Sequence, residues 1–234
     1  MTTTTPPPTP IAAPVPKPAR RPQSGPPLLA PAIAVAVVTI AYAVVNRSTP
    51  HPEASGAAVL QYAQQHGGTA RFGAFLLLSS AVPLALCAAV FYRRLRALGI
   101  TAPGSAITLV GGVLGAGALG ISATAAWAGS RLPADSPTAL ARALADISFA
   151  AGGPAFAAGF AVFAAGVSVS ALKARLLPRA VCWPGLVIAA AGMLGLLGLL
   201  VSGFAYLLPV VRFGGLIWLL FAAALLPATR PRTT

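Results

Sequence analysis

Acidic residues are nearly missing from this chain: Glu53, Asp135 and Asp146 are the only three in 234 residues, against sixteen Lys and Arg. Histidine is confined to His51 and His66, and cysteine to Cys87 and Cys182. Each shortage removes a class of chemistry. No apolar run holds two carboxylates, which excludes an intramembrane aspartate pair. No histidine lies in an apolar run, which excludes bis-histidine haem ligation and a Ser–His pairing within a bilayer. There is no glycine-rich phosphate loop with its lysine and no Cys/His set at zinc spacing. Cys87 lies inside one apolar run and Cys182 at the edge of another, so the two read as small hydrophobes rather than a disulfide. The expectation is a non-enzymatic protein with no catalytic residues, no cofactor and no metal.

What remains is apolar. The chain is 57% hydrophobic and 8% charged, with a mean hydropathy of +0.82. Soluble domains carry about 25% charged residues, so this is a membrane composition. The net charge of +13 would suit nucleic acid only if gathered on one face. Here the basic residues form short clusters between apolar runs, and no nucleic-acid partner is expected.

Residues 1–27 are rich in Pro and Thr, bury too little to offset chain entropy, and read as a disordered cytoplasmic leader. Six apolar segments follow, near the ~20 residues that span a bilayer core: Leu28–Val45, Phe72–Tyr92, Ala106–Ala128, Ile147–Leu172, Trp183–Leu207 and Phe213–Pro227. Backbone in lipid must pair within itself, so all six read as helices. The fold class is therefore all-α: a polytopic membrane protein with one six-helix transmembrane domain over 28–228 and a short basic tail at 229–234. With both termini cytoplasmic, eleven of the sixteen basic residues fall inside, on the leader, on Arg93, Arg94 and Arg96, on Lys173, Arg175 and Arg179, and on the tail. All three acids and both histidines then fall outside, and the Lys/Arg bias fits six helices with both termini inside. The rival reading is a cleaved signal peptide ending at Ala41-Tyr42-Ala43.

At an offset of 81 the chain resembles itself: Pro52 meets Pro133, Ser55 meets Ser136, Arg94-Leu95 meets Arg175-Leu176, and Pro103-Gly104 meets Pro184-Gly185. This predicts a tandem hairpin repeat, about 52–120 and 133–201, each opened by a short interfacial helix at the outer face. Small residues recur every four positions at Gly112, Ala116 and Gly120 and at Ala151, Ala155 and Gly159, a pattern that lets helices approach closely within the chain or in a homo-oligomer. Pro83 and Pro154 should kink their spans. Ser79, Ser80, Ser122, Thr124 and Ser202 are expected to bond their own helix backbones.

Residues 49–68 hold both histidines and the only glutamate. Ser55 reads as an N-cap, Gly67-Gly68 as the stop, and the helix between them keeps His51, Glu53 and His66 too far apart for one metal ion. Membrane lipids are the expected partners, and the candidate anion or headgroup site lies at the outer interface on Arg71, Arg142, Asp146 and Arg212. Arg142 and Asp146, four apart, can pair on one helix. No span carries a charge near its middle.

Taken together, RFGAFLLLSSAVPLAL (71–86), YRRLRALGITAPG (92–104), ARALADISFAAGGPAFA (141–157), RLLPRAVCWPG (175–185) and YLLPVVRFGGLIWLL (206–220) resemble a bacterial family of six-span membrane proteins defined only as a domain of unknown function (DUF4386-like). The resemblance implies the six-helix fold and the bacterial cytoplasmic membrane, and carries no activity. The functional expectation is a binder of lipid or hydrophobic ligand, or a component of a membrane assembly. The alternative is a small-solute transporter not coupled to ions through intramembrane carboxylates.

Overall fold

A backbone with no water to bond must bond itself, and this one does so by helix alone. The computed structural model describes residues 27–228, among which there is no strand. The leader up to residue 26 and the tail from 229, with Lys17, Arg20, Arg21, Arg230 and Arg232, lie outside the described residues. Six helical runs result: α1 Leu29–Val45, α2 Gly56–Ala97, α3 Gly104–Gly129, α4 Thr138–Lys173, α5 Arg179–Leu199 and α6 Ser202–Leu225. The last five are long and apolar enough to cross a membrane; α1 is apolar but shorter, at 17 residues. Pro103, Pro137 and Pro178 stand immediately before α3, α4 and α5, where a missing N–H costs nothing. Ser55 opens α2 instead, its hydroxyl accepting from Ala58 N–H at 3.3 Å.

Each helix packs on the next in chain order, and α6 returns to α1, closing a ring. At its centre the rings of Phe91, Phe160, Phe163 and Trp218 meet; Phe91 and Trp218 stand edge-on to Phe163, at centroid distances of 5.4 and 6.0 Å. Trp218 Nε1 donates to Val181 O at 3.1 Å, so its one polar atom is satisfied. Outward, Val37, Val82, Val187 and Ile217 are all more than half exposed, while Ser80, Thr108, Ser122 and Ser168 are buried. That is the reverse of a soluble domain's arrangement, and it suits lipid outside.

The small-residue rows require revision. A Cβ on Gly111 would sit 2.2 Å from Phe163 N, and one on Gly159 would sit 2.4 Å from Gly115 N, so α3 and α4 touch backbone to backbone there. Gly112 faces Ala88 of α2 instead, and Gly120 faces open space. In α4, Ala155 is exposed while Ala151 and Gly159 are buried. The cause is a π-helical turn over Ala151–Ala155, which winds an extra residue into the helix and moves later positions off the earlier face.

The outer helices also differ from expectation. Gly67 and Gly68 do not stop α2, because neither takes a positive φ; among described glycines only Gly99 does. The break falls one residue earlier, at His66, whose φ −124° and ψ 25° are not helical and divide the 42 residues of α2 into two helices joined across a kink. Arg71 Nε donates to Gly67 O at 3.1 Å beside the bend, and Tyr62 stacks on His66 at 4.8 Å. The stretch from Thr138 is continuous with the span that follows. The first predicted short helix is thus set off by the kink, whereas the second runs on into its span; both are here called arms, the first parts of α2 and α4. The arms lie side by side: a Cβ on Gly56 would strike Thr138 O, and Arg142 and Gln64 donate to Ala54 O and Leu132 O.

At the opposite end, the turn end, two basic loops follow α2 and α4 and close in one hydrogen-bond pattern. Ile100 N–H reaches Leu95 O and Gly99 N–H reaches Arg96 O; Leu176 N–H reaches Ala171 O and Arg175 N–H reaches Leu172 O. This is the Schellman ending, whose key residue is left-handed. Gly99 takes it at φ 89°, where no Cβ interferes; Arg175 takes it at φ 52°, at a cost of roughly 1 kcal/mol. The two motifs pair Gly99 with Arg175, whereas the ungapped offset pairs Arg94 with Arg175. Pro103 precedes α3 while Pro184 lies inside α5, so these matched residues do not occupy equivalent places.

Candidate functional site

The four arginine-site residues named from sequence do not form one site. Arg142 is bound to Asp146 through Nη2 at 2.9 Å and Nε at 3.0 Å, and to Ala54 O through Nη1. The pair was legible from its spacing, but Nε and Nη2 of Arg142 are engaged within its own arm and Nη1 ties that arm to the start of the other. Exposed as it is, the ion pair contributes about 0.5 kcal/mol. Arg71 lines a shallow cleft of about 380 Å³ with Gln64, Gly67, Arg131 and Leu132. Arg131 lies over the Trp127 ring at 4.9 Å.

Arg212 is elsewhere. The predicted fifth span ran to Leu207 and the sixth began at Phe213, with Arg212 in the loop between them. In the structure the chain turns at Leu200 and Val201, and α6 already begins at Ser202. Arg212 therefore sits inside a helix long enough to span, about 20 Å from its Leu225 end at ~1.5 Å per residue. Contrary to expectation, a charge thus lies near the middle of a helix long and apolar enough to span. The shift arose because Ser202–Tyr206 forms 3₁₀ turns rather than a loop, a state that composition does not distinguish.

The surroundings of Arg212 follow from two backbone irregularities. Pro154 has no N–H for the α-helical ladder, and α4 opens into its π turn there. Phe156 N–H consequently reaches back five residues to Ala151 O, as well as to Gly153 O, and not to Gly152 O. Into that space comes Arg212, whose Nη2 donates to Gly152 O at 2.6 Å. Arg212 itself belongs to a second π turn, Val210–Gly214, which follows Pro209. The guanidinium stacks over Phe156 at 4.9 Å and faces Tyr42 of α1 at 5.9 Å. One helical turn away, Ser122 and Ser148 exchange bonds: Ser122 Oγ donates to Ser148 O at 2.7 Å and Ser148 Oγ to Ser122 O at 3.1 Å. A Cβ on Gly152 would meet Ser122 Oγ at 2.4 Å, so this glycine is what lets α3 approach. Ser122 thus bonds across helices rather than to its own, unlike Ser80 and Thr124, which bond Leu77 O and Gly120 O as expected.

Arg212 has no carboxylate partner among the described residues, where Arg142–Asp146 is the sole ion pair. The arrangement leaves a positive charge inside the bundle, held by a neutral carbonyl and two ring faces. Such a group can orient and neutralise an anion. Reading the sequence found Arg212 but missed Tyr42, Ser148, Gly152 and Phe156. The available signal was the Gly152-Gly153-Pro154 run inside an apolar stretch.

His51 and Glu53 are exposed on the loop before α2, and His66 is at its bend. Among the described residues no three of His, Cys, Asp and Glu gather as a metal-holding group. Cys87 and Cys182 are separate, free and buried. No family profile, curated protein or solved structure matches the chain.

Proposed function

We propose that this chain is a six-span, non-enzymatic protein of the bacterial cytoplasmic membrane that holds an anionic amphiphile at Arg212. The amphiphile is a lipid, or a hydrophobic ligand with one negative group. The observation carrying the reading is the guanidinium of Arg212 within a span, bonded to Gly152 O and without a carboxylate among the described residues. Ionisable groups inside a membrane are costly and concentrate where function needs them, and π turns share that tendency. In this reading α1 is the sixth span, the turn end faces the cytoplasm with both termini, and the arms lie along the outer interface. The basic residues at 93–96 and 173–179 support that orientation. Reporter fusions at each terminus test it: an enzyme active only outside the cytoplasm must stay silent at both.

The test of the ligand is native mass spectrometry of the protein purified in mild detergent. Arg212→Gln should lose a retained anionic lipid or ligand at least tenfold, while Arg212→Lys keeps part of it and Arg142→Gln leaves it unchanged. Equal retention in the wild type and Arg212→Gln would remove the reading.

A transporter of small anionic solutes is the second reading. The interrupted backbone of 196–214 favours it, since broken helices line the sites of many carriers. Uptake by proteoliposomes, abolished in Arg212→Gln, would select it over static binding. The internal duplication stays a proposal only with a register that changes along the unit: Ser55 with Ser136 at the arm end, Gly99 with Arg175 at the turn end. Hairpins at 52–120 and 133–201 that cross at unlike angles would dispose of it.

A further inference from the structure

At the turn end, the end of α4 and the start of α5 enclose a cleft of about 730 Å³ lined by Leu172, Lys173, Arg175, Leu177, Arg179 and Trp183. Three of the six are cations, all exposed, and none has a carboxylate partner among the described residues. Trp183 stands one turn into α5 with 59% of its surface exposed, on the same side as the charges. Leu177 is buried beneath them. The cleft is thus cationic at its rim and apolar toward the bundle, with an indole where a membrane interface would lie. At the first residues of α5 no side chain caps the backbone and no acid stands in the first turn, so the positive helix end adds to the same field.

The decisive residue is Arg175. The left-handed place in a Schellman ending belongs to glycine, and Gly99 fills it in the sister turn of the same molecule. The second turn keeps its hydrogen bonds but puts an arginine in that place, on the rim of the cleft. The fold alone is better served by glycine at 175, so the side chain has another use.

We propose that this cleft binds the phosphate-bearing headgroup of an anionic phospholipid, with Lys173, Arg175 and Arg179 on the phosphate and Trp183 and Leu172 against the glycerol and upper acyl chain. Cationic clefts between helices at the cytoplasmic face suit such headgroups, and each charge near the surface adds about fivefold in affinity. The inference rests on the chain lying in a membrane, but not on a ligand at Arg212.

Full-length protein in phosphatidylcholine nanodiscs, with and without phosphatidylglycerol, tests it, because nanodiscs expose both faces whatever the orientation. Native mass spectrometry should find phosphatidylglycerol retained by the wild type, and its addition should raise Tm. Arg175→Gly should raise Tm by about 2–4 °C in pure phosphatidylcholine, through relief of the left-handed strain, yet retain about fivefold less phosphatidylglycerol. Adding Lys173→Gln and Arg179→Gln should abolish the preference for that lipid. The proposal is overturned if Arg175→Gly retains phosphatidylglycerol like the wild type, or if it lowers Tm. Displacement of the lipid by millimolar inorganic phosphate would also overturn it, because the cleft would then be a site for soluble phosphate. All comparisons are made in the Arg212→Gln background, which empties the other site, so that the phosphatidylglycerol read out is the cleft's own.

Discussion

The two halves of the ring solve the same problem differently. α2 and α3 keep the α-helical ladder through Pro83 and through every glycine, with a single bend at His66. From Pro154 onward the backbone changes state repeatedly: a π turn in α4, 3₁₀ turns at Leu196–Leu199 and Ser202–Tyr206, and a second π turn at Val210–Gly214. The first half spends its glycines on close packing. The second spends its prolines and glycines on freeing a backbone group, and fills the space with the cation of Arg212. Regularity in one half is what allows irregularity in the other, because α3 presses on α4 through Gly111, Gly115 and Gly159 and holds it in place.

The contact between the halves should therefore be the most sensitive point. Gly159→Ala puts a Cβ 2.4 Å from Gly115 N, and since backbone cannot step aside, a loss of about 3 kcal/mol is expected. Thermal unfolding in detergent reads it, and an unchanged Tm would mean that the helices are not in backbone contact. Next in size is Arg212→Ala, which leaves Gly152 O unpaired inside the bundle and should cost about 2 kcal/mol. Arg94→Ala, which loses only a bond to Leu226 O at the turn end, should cost about half as much. Equal losses would erase the distinction between a cation inside the bundle and one at its end. Ser55→Ala should remove about 1 kcal/mol from the start of α2. Ser136→Ala should be near neutral, because no side-chain cap bond opens α4. Smallest, and opposite in sign, is Gly117→Ala in α3: nothing lies within 4 Å of its Cβ, so better helix propensity should add up to about 1 kcal/mol. A loss there would reveal a second chain packed on that face.

Much of the architecture could be read in advance, because hydropathy and the positions of proline report directly on whether a segment must be helical. The bounds of α1 and α3, the cap at Ser55 and the pairing of Arg142 with Asp146 follow from local rules acting over four residues or fewer. What escaped depends on tertiary context. Gly67-Gly68 reads as a stop, and the arm does break at the adjacent His66, but the next helix follows across the kink without a loop. Pro154 reads as a kink, whereas the actual response is a π turn that shifts every later position on α4 and releases Gly152 O. Arg212 reads as a loop residue because its neighbours Pro209 and Gly214 resemble a break. Arg175 carries no local sign that it must adopt the conformation of glycine.

The neutral partner of Arg212 has an electrostatic consequence. A carbonyl satisfies a donor but cancels no charge, so the arm half of the bundle keeps a fixed positive potential whatever occupies it. At ~8 Å and an effective dielectric near 20, that charge changes the energy of a univalent ion by about 2 kcal/mol. A univalent cation placed at that distance would be disfavoured roughly thirtyfold, and an anion favoured by the same factor. The sign of that potential is set by one π turn and the arginine that answers it.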